Sequence, residues 1–201
     1  MASPLPSVLI AAHSFVKRFH SDLQCKFDLH TALDFNLTRT ATVSFHGVGG
    51  LTVPRLAREL RLLFSYEPPP RVIILEIGTN DLSSHSPEVV IGDLLDLVEF
   101  LQAVDSSMAV GVCKVLPRRH RSTGLPHEEF NTKAATLNKM MDALFDDRPS
   151  VFCVGPFGNP APFSWSLVAR RCAFELQRAV LPLPELQGCY FKRGLLASQC
   201  A

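Results

Sequence analysis

The stretch RVIILEIGTND, Arg71 to Asp81, decides the fold. Val72, Ile73, Ile74, Leu75 and Ile77 put apolar, mostly β-branched side chains on both odd and even positions. A strand that is apolar on both faces is covered on both faces, as a central strand of a parallel sheet is. The run breaks at Gly78-Thr79-Asn80-Asp81, residue types that end strands and form turns.

Outward from this strand, short Val- and Ile-rich runs alternate with amphipathic stretches. Strands are predicted over Ser7–Ala12, Ala41–Phe45, Arg71–Ile77, Met108–Leu116 and Ser150–Val154. Helices are predicted over Val53–Phe64 (Val53, Leu56, Leu60, Leu63), Pro87–Ala103 (Val89, Val90, Leu94, Leu97, Leu101) and Glu128–Phe145 (Phe130, Leu137, Met140, Met141, Leu144). Strand–helix alternation implies an α/β fold: a five-stranded parallel sheet flanked by helices, a three-layer sandwich of flavodoxin-like type with right-handed crossovers. Proline-rich patches at Pro68–Pro70 and Pro156–Pro162 read as loops, not as a domain boundary.

The 201 residues suit one domain with a real core, and 47% hydrophobic content fits a globular chain. A net charge of +1 creates no whole-chain field for nucleic acid or an anionic membrane. No apolar run reaches membrane-spanning length, and Val8–Ala12 is too short for a signal-peptide core. The six cysteines show neither C-x-x-C nor zinc spacing, so no metal or other cofactor is expected and an intracellular location is.

In parallel α/β sheets, ligands bind beyond the carboxyl ends of the strands. Three segments lie there: Ala12-His13-Ser14-Phe15, His46-Gly47-Val48-Gly49-Gly50-Leu51-Thr52 and Gly78-Thr79-Asn80-Asp81. A serine at a strand-to-helix turn can present its hydroxyl to a substrate, with helix N-terminal amides nearby. A glycine loop lets backbone N–H groups approach an oxyanion, and an asparagine amide adds another donor. Each residue also has an ordinary use: Ser14 as an N-cap, Gly47, Gly49 and Gly50 as turn glycines, Asn80 and Asp81 as caps or an Asx-turn. Singly, the ordinary use is the commoner one. Three such segments after three successive strands point to a shared site.

With these residues in view, the chain resembles the SGNH-hydrolase (GDSL-like esterase) superfamily. Ser14, the glycine loop and Gly78-Thr79-Asn80-Asp81 are similar to its first three sequence blocks. The first block departs from the usual Gly-Asp-Ser and reads Ala12-His13-Ser14. Its context is similar to a branch with a Gly-His-Ser-Phe-Val start, seen in metazoan SGNH-type domains and some retrotransposon first reading frames. Val115-Leu116-Pro117-Arg118, Phe130-Asn131 and Asn138 also fit that branch. The resemblance covers roughly residues 7 to 155. It implies Ser14 as nucleophile and an oxyanion hole from the N–H groups of Ser14 and Gly50 with the Asn80 side chain. His13, Gly49, Gly78 and Asp81 support it, and the chemistry is metal-free hydrolysis of an acetyl or acyl ester.

The family's base, a histidine three residues after an aspartate near the C-terminus, is missing. The chain has no D-x-x-H, and the 74 residues after His127 contain no histidine. His120 and His127 read as loop histidines, and His13 as pointing away from Ser14. His46 is the best candidate for a substitute base. Residues 1–155 thus form the hydrolase-like domain, and 156–201 an atypical tail in place of the last block and helix. Codons for Arg170–Gly194, read one base later, can encode a peptide containing Asp-Gly-Val-His-Leu-Asn, which resembles that block. A frame change between about Gly155 and Arg170 accounts for the loss.

The expected function is serine-dependent hydrolysis of a small ester or acylated substrate, impaired for want of the Asp-x-x-His. The alternative is a non-catalytic binding or interaction module. A nucleic-acid role has local support only from Arg118, Arg119, His120 and Arg121, which read as a solvated loop. A flavodoxin-like nucleotide binder lacks a phosphate-loop signature.

Overall fold

The computed structural model of the chain describes residues 5–14, 16–18, 21, 41–118 and 125–155. Five strands form one sheet: β1 (Ser7–Ala12), β2 (Thr42–Gly47), β3 (Val72–Glu76), β4 (Ala109–Cys113) and β5 (Val151–Val154). Among the described residues three helices are bounded, α1 (Val53–Leu63), α2 (Pro87–Val104) and α3 (His127–Phe145), together with a 3-10 turn at Asp81–Ser83. All pairings are parallel, in the order β2-β1-β3-β4-β5. The α/β sheet expected from the alternating pattern is present, with all five strands.

The order places β1 and β3 side by side, with β2 beyond β1 in one direction and β4 and β5 beyond β3 in the other. That pair is the topological switch point, where the loops beyond two adjacent strands diverge and leave a crevice. Ser14 follows β1 and Asn80 follows β3, so both sit at its mouth.

The apolar pattern on both faces of the central strands is used in full. On one face Leu9, Ala11, Ile73, Leu75, Val110 and Val112 pack against α1, α2 and α3. On the other, Val8, Ile10, Ala12, Val72 and Ile74 pack with Val16, Ala41 and Val154. The helices bury most of the predicted stripes: Val53, Leu56 and Leu60 from α1, Val90, Leu94, Leu97 and Leu101 from α2, Phe130, Leu137 and Met141 from α3. Leu63, Met140 and Leu144 are only partly buried, and Val89 is exposed because it lies off the face that α2 turns to the sheet. Pro54 and Pro87 stand in first turns, where a missing N–H costs nothing.

Two strand ends differ from the sequence reading by more than one residue. β2 runs two residues further, to Gly47, because its ladder with β1 continues through Ala11–His46 and Ala12–Gly47. β4 ends at Cys113 and not at Leu116. Its neighbour β5 is only four residues long, and the last bond to it is Lys114 N–H to Val154 O, 2.7 Å. Beyond that point side chains replace the strand. Asn138 of α3 accepts from Val115 N–H at 2.8 Å and donates to Val115 O at 2.9 Å. Asn131, two turns earlier, does the same for Arg118 at 2.7 and 2.9 Å. Two asparagines on one helix face therefore hold residues 115–118 extended.

Gly111, in the middle of β4, shows how tightly the sheet packs. A Cβ there would lie 2.5 Å from Ile74 Cδ1 and 2.8 Å from the Phe152 ring. Gly111→Ala should destabilise the fold by roughly 1–3 kcal/mol through overpacking. Urea denaturation of the variant beside the parent checks this, and an unchanged midpoint would refute it.

Candidate active site

Backbone bonds at the C-terminal edge of the sheet draw the three candidate segments together. Val48 N–H donates to Ala12 O at 3.0 Å, fastening the glycine loop to the end of β1. His13 N–H donates to Glu76 O at 3.4 Å, extending the β1–β3 ladder to the residue before Ser14. Ser14 then opens a helical turn, with Lys17 N–H on His13 O at 3.4 Å. Gly47 makes room for that turn: a Cβ on it would sit 2.8 Å from the Lys17 backbone. Side chains are excluded from Gly47 by this close approach rather than by turn geometry.

Ser14 is half-buried, and among the described residues no hydrogen bond engages its Oγ. Its carbonyl accepts from Arg18 Nε at 3.3 Å. The N-cap bond that a serine in this place commonly makes is not formed.

Gly50 adopts φ +65°, the left-handed region that favours glycine, and is solvent-exposed like Gly49. The loop turns there and passes Leu51 to α1. Gly78 also has positive φ, +99°, at a point where a Cβ would touch Val90, Val115 and Leu137. Its backbone reversal sends the chain from β3 back toward the glycine loop.

Two side chains then pin the turn after β3 to the segment after Gly50. Asn80 Nδ2 donates to Leu51 O at 2.8 Å. Asp81 Oδ1 accepts from Val53 N–H at 3.0 Å. Thr52, at the N-cap of α1, makes no side-chain cap bond, so Asp81 caps α1 from another part of the chain. One Asn80 amide proton is thereby committed, and among the described residues no acceptor engages the other.

Asp81 is 2% exposed, and no donor meets its Oδ2. Burial raises its pKa from the ordinary aspartate value, and the Val53 N–H opposes this. The cap is thus a carboxylate that resists ionisation.

Of the histidines singled out in the sequence, three lie among the described residues. His13 is buried at 4% exposure, with Nε2 3.0 Å from Glu76 Oε1. His46 Nε2 lies 2.7 Å from Glu59 Oε2 on α1, and Glu59 also takes Arg55 Nε at 2.8 Å. Burial works against the Glu59 charge, but hydrogen bonds from His46 and Arg55 outweigh it and hold the carboxyl low. His127 does not lie in a loop: it is the first residue of α3, because the helix starts directly after Pro126. His120 lies outside the described residues, as does the tail after Gly155. Cys153 offers no rival nucleophile, since burial pushes its thiol up to about 11.

Arg118 is a second residue that the sequence reading misplaced. Instead of standing in a solvated loop it is half-buried, with Nη2 3.2 Å from Thr79 O and 3.4 Å from Ser83 Oγ. Its guanidinium lies 3.7 Å from the centre of the Phe130 ring. The available signal was the pairing of Arg118 with Phe130-Asn131, which charge counting ignores.

The architecture is shared with GDSL-like lipases and esterases. A GDSL-like lipase from Bacteroides thetaiotaomicron superposes with a TM-score of 0.60 at 16% identity, over 90% of this chain and 91% of that one. An acetyl esterase mutant with acetate ion gives 0.64 at 10% identity, over 88% and 98%. A carbohydrate esterase family 3 protein from Talaromyces cellulolyticus gives 0.60 at 12% identity, over 88% and 98%. At these identities the likeness establishes the fold. No protein-family model and no curated protein sequence matches the chain.

Asp81→Asn keeps the Val53 acceptor and removes the charge. A carboxyl whose folded pKa lies above its unfolded value of 3.8 binds its proton more tightly when folded, so stability falls as pH rises through the window above 3.8. The stability difference between D81N and the parent should therefore move in favour of D81N between about pH 4 and pH 7. Urea titrations across that range measure it. A difference that stays flat or moves the other way counts against a buried, proton-retaining Asp81.

Proposed function

We propose that the chain is an esterase-type domain whose oxyanion-binding half is built and whose base is lost. The observation that carries this reading is the Asn80 Nδ2 bond to Leu51 O, 2.8 Å, which holds a side-chain donor beside the Gly50 loop at the switch point where Ser14 opens its turn. Preorganised donors of this sort stabilise the negative oxygen of a tetrahedral intermediate.

The chemistry assigned to the site is acyl transfer. Ser14 Oγ attacks the ester carbonyl as a base removes its proton. The carbonyl oxygen, now negative, rests on the N–H groups of Ser14 and Gly50 and the free Asn80 amide proton. The alcohol departs with a proton, and water then releases the acid from Ser14. Substrates are small acetyl or acyl esters, and no cofactor takes part.

Among the described residues no imidazole hydrogen-bonds to Ser14 Oγ, and the Asp-x-x-His is absent from the sequence. A serine hydroxyl without a base is a poor nucleophile. Residues 1–155 are accordingly assigned to the hydrolase-like domain, and 156–201 to a tail produced by a change of reading frame. The Gly-His-Ser-Phe-Val branch is the proposed origin. His46, held by Glu59 as a catalytic imidazole is held by its carboxylate, is the candidate substitute base. A second reading, a module that holds an acylated ligand without turnover, rests on the same donors and the same missing base.

The test compares p-nitrophenyl acetate hydrolysis by the chain as given, by its Ser14→Ala variant, and by a chain whose tail is restored to the shifted frame. The given chain and S14A should match at background, and the restored chain should exceed them by about 10³-fold or more, an increment lost with S14A. Ser14-dependent turnover by the given chain would overturn the claim of a lost base and point to His46. A restored chain without Ser14-dependent activity would overturn the esterase reading and leave the binding module.

A further inference from the structure

We propose that Arg118 is a positioning residue for the Asn80 amide, acting through the Thr79–Asn80 peptide; this rests on the reading of Asn80 as an oxyanion donor. The peptide unit is planar, so the carbonyl of Thr79 and the N–H and Cα of Asn80 move as one body. Arg118 Nη2 grips that carbonyl at 3.2 Å and the Ser83 hydroxyl beyond it at 3.4 Å. Asn80 reaches the other way, to Leu51 O at 2.8 Å. The residue is thus held on two sides, by its own side chain and by the peptide plane that precedes it.

The grip is itself supported. The Arg118 backbone is clamped in both directions by Asn131, at 2.7 and 2.9 Å. Its guanidinium plane stacks on Phe130, 3.7 Å to the ring centre, the residue next to that clamp. Two neighbours on α3 therefore set both ends of one side chain. Among the described residues Arg118 has no carboxylate partner, and its Nη1 is buried without an acceptor. Its charge is not neutralised by an ion pair, and the acceptors it does have lie on the turn that carries Asn80. A guanidinium kept half-buried without a counter-ion is costly to hold, and a hydrogen bond from an ionised donor is stronger than one from a neutral donor.

The experiment follows the Asn80 side-chain NH2 by NMR in the full chain, assigned with Asn80→Ala. Its resonance positions and solvent-exchange rate are compared in the parent, Arg118→Met and Arg118→Lys. In R118M the exchange should quicken by about tenfold and the resonances should shift, while slow amides of β1 and β3 keep the parent's rates. R118K should recover part of the effect. An Asn80 NH2 that is unchanged in folded R118M overturns the proposal, as does a quickening shared equally by β1 and β3, which marks a purely structural role. Should R118M fail to fold, Asn131→Ala loosens the Arg118 backbone from the surface of α3. It must quicken Asn80 exchange in the same sense, and an unchanged signal there overturns the proposal. Sodium acetate serves as a separate probe of the oxyanion site, with binding in R118M expected to weaken by about tenfold. Failure of acetate to bind the parent would count against the esterase reading alone, because the ligand-free exchange rates still decide the role of Arg118.

Discussion

At the C-terminal edge of the sheet the Asp81 carboxylate accepts the Val53 N–H at 3.0 Å, and the geometry of the site hangs on that contact. The first amide of α1 would otherwise be an unmet donor, since Thr52 does not cap it. By supplying the acceptor from the turn after β3, the fold links two loops separated in sequence by 28 positions. Asn80 adds the bond to Leu51 O from the next residue along. The glycine loop and the Asn80 turn thus behave as one piece. The cost is a carboxylate in a place where burial disfavours its charge.

The sheet supplies the platform. The order β2-β1-β3-β4-β5 places β1 and β3 together, so their loops part where the crossovers diverge. Close packing then sharpens the edge. Gly47 admits the Lys17 backbone, and Gly78 turns tightly against Val90, Val115 and Leu137. On the far side α3 takes over where β5 ends, with Asn138 and Asn131 extending the hydrogen-bonded edge past β4 as far as Arg118. Each asparagine offers a donor and an acceptor at the spacing of a peptide group, so it continues a strand ladder where no strand remains.

The chemistry divides along the same line. The proposed oxyanion donors lie on the crevice loops, and the Asn80 amide is fixed there by its bond to Leu51 O. The base of a serine hydrolase must come from elsewhere, since it has to face the nucleophile across the crevice. The histidines in the described part of the site are engaged in other ways: His13 with Glu76, His46 with Glu59. An oxyanion hole without a base can hold an acyl or carboxylate group yet turn it over slowly. Esterase and binding readings therefore share one architecture and differ by a single proton acceptor.

By itself the amino-acid sequence determined the order of the strands and helices and most of their burial. Apolar runs with period 2 or with no alternation, and apolar stripes at three- and four-residue spacing, are local signals that burial enforces directly. It also marked Ser14, Gly50 and Asn80, because strand ends in a parallel sheet are where loops can carry function. It did not show that Asp81 caps α1 and not the helix that follows it, that Gly47 admits Lys17, or that His127 begins α3. Nor could it lift Arg118 out of a run of basic residues. Those facts depend on hydrogen bonds and contacts between positions far apart in the chain. A charge or a cap has no periodicity, and its partner is chosen only when the sheet order and the crossovers bring two loops within about 3 Å of each other.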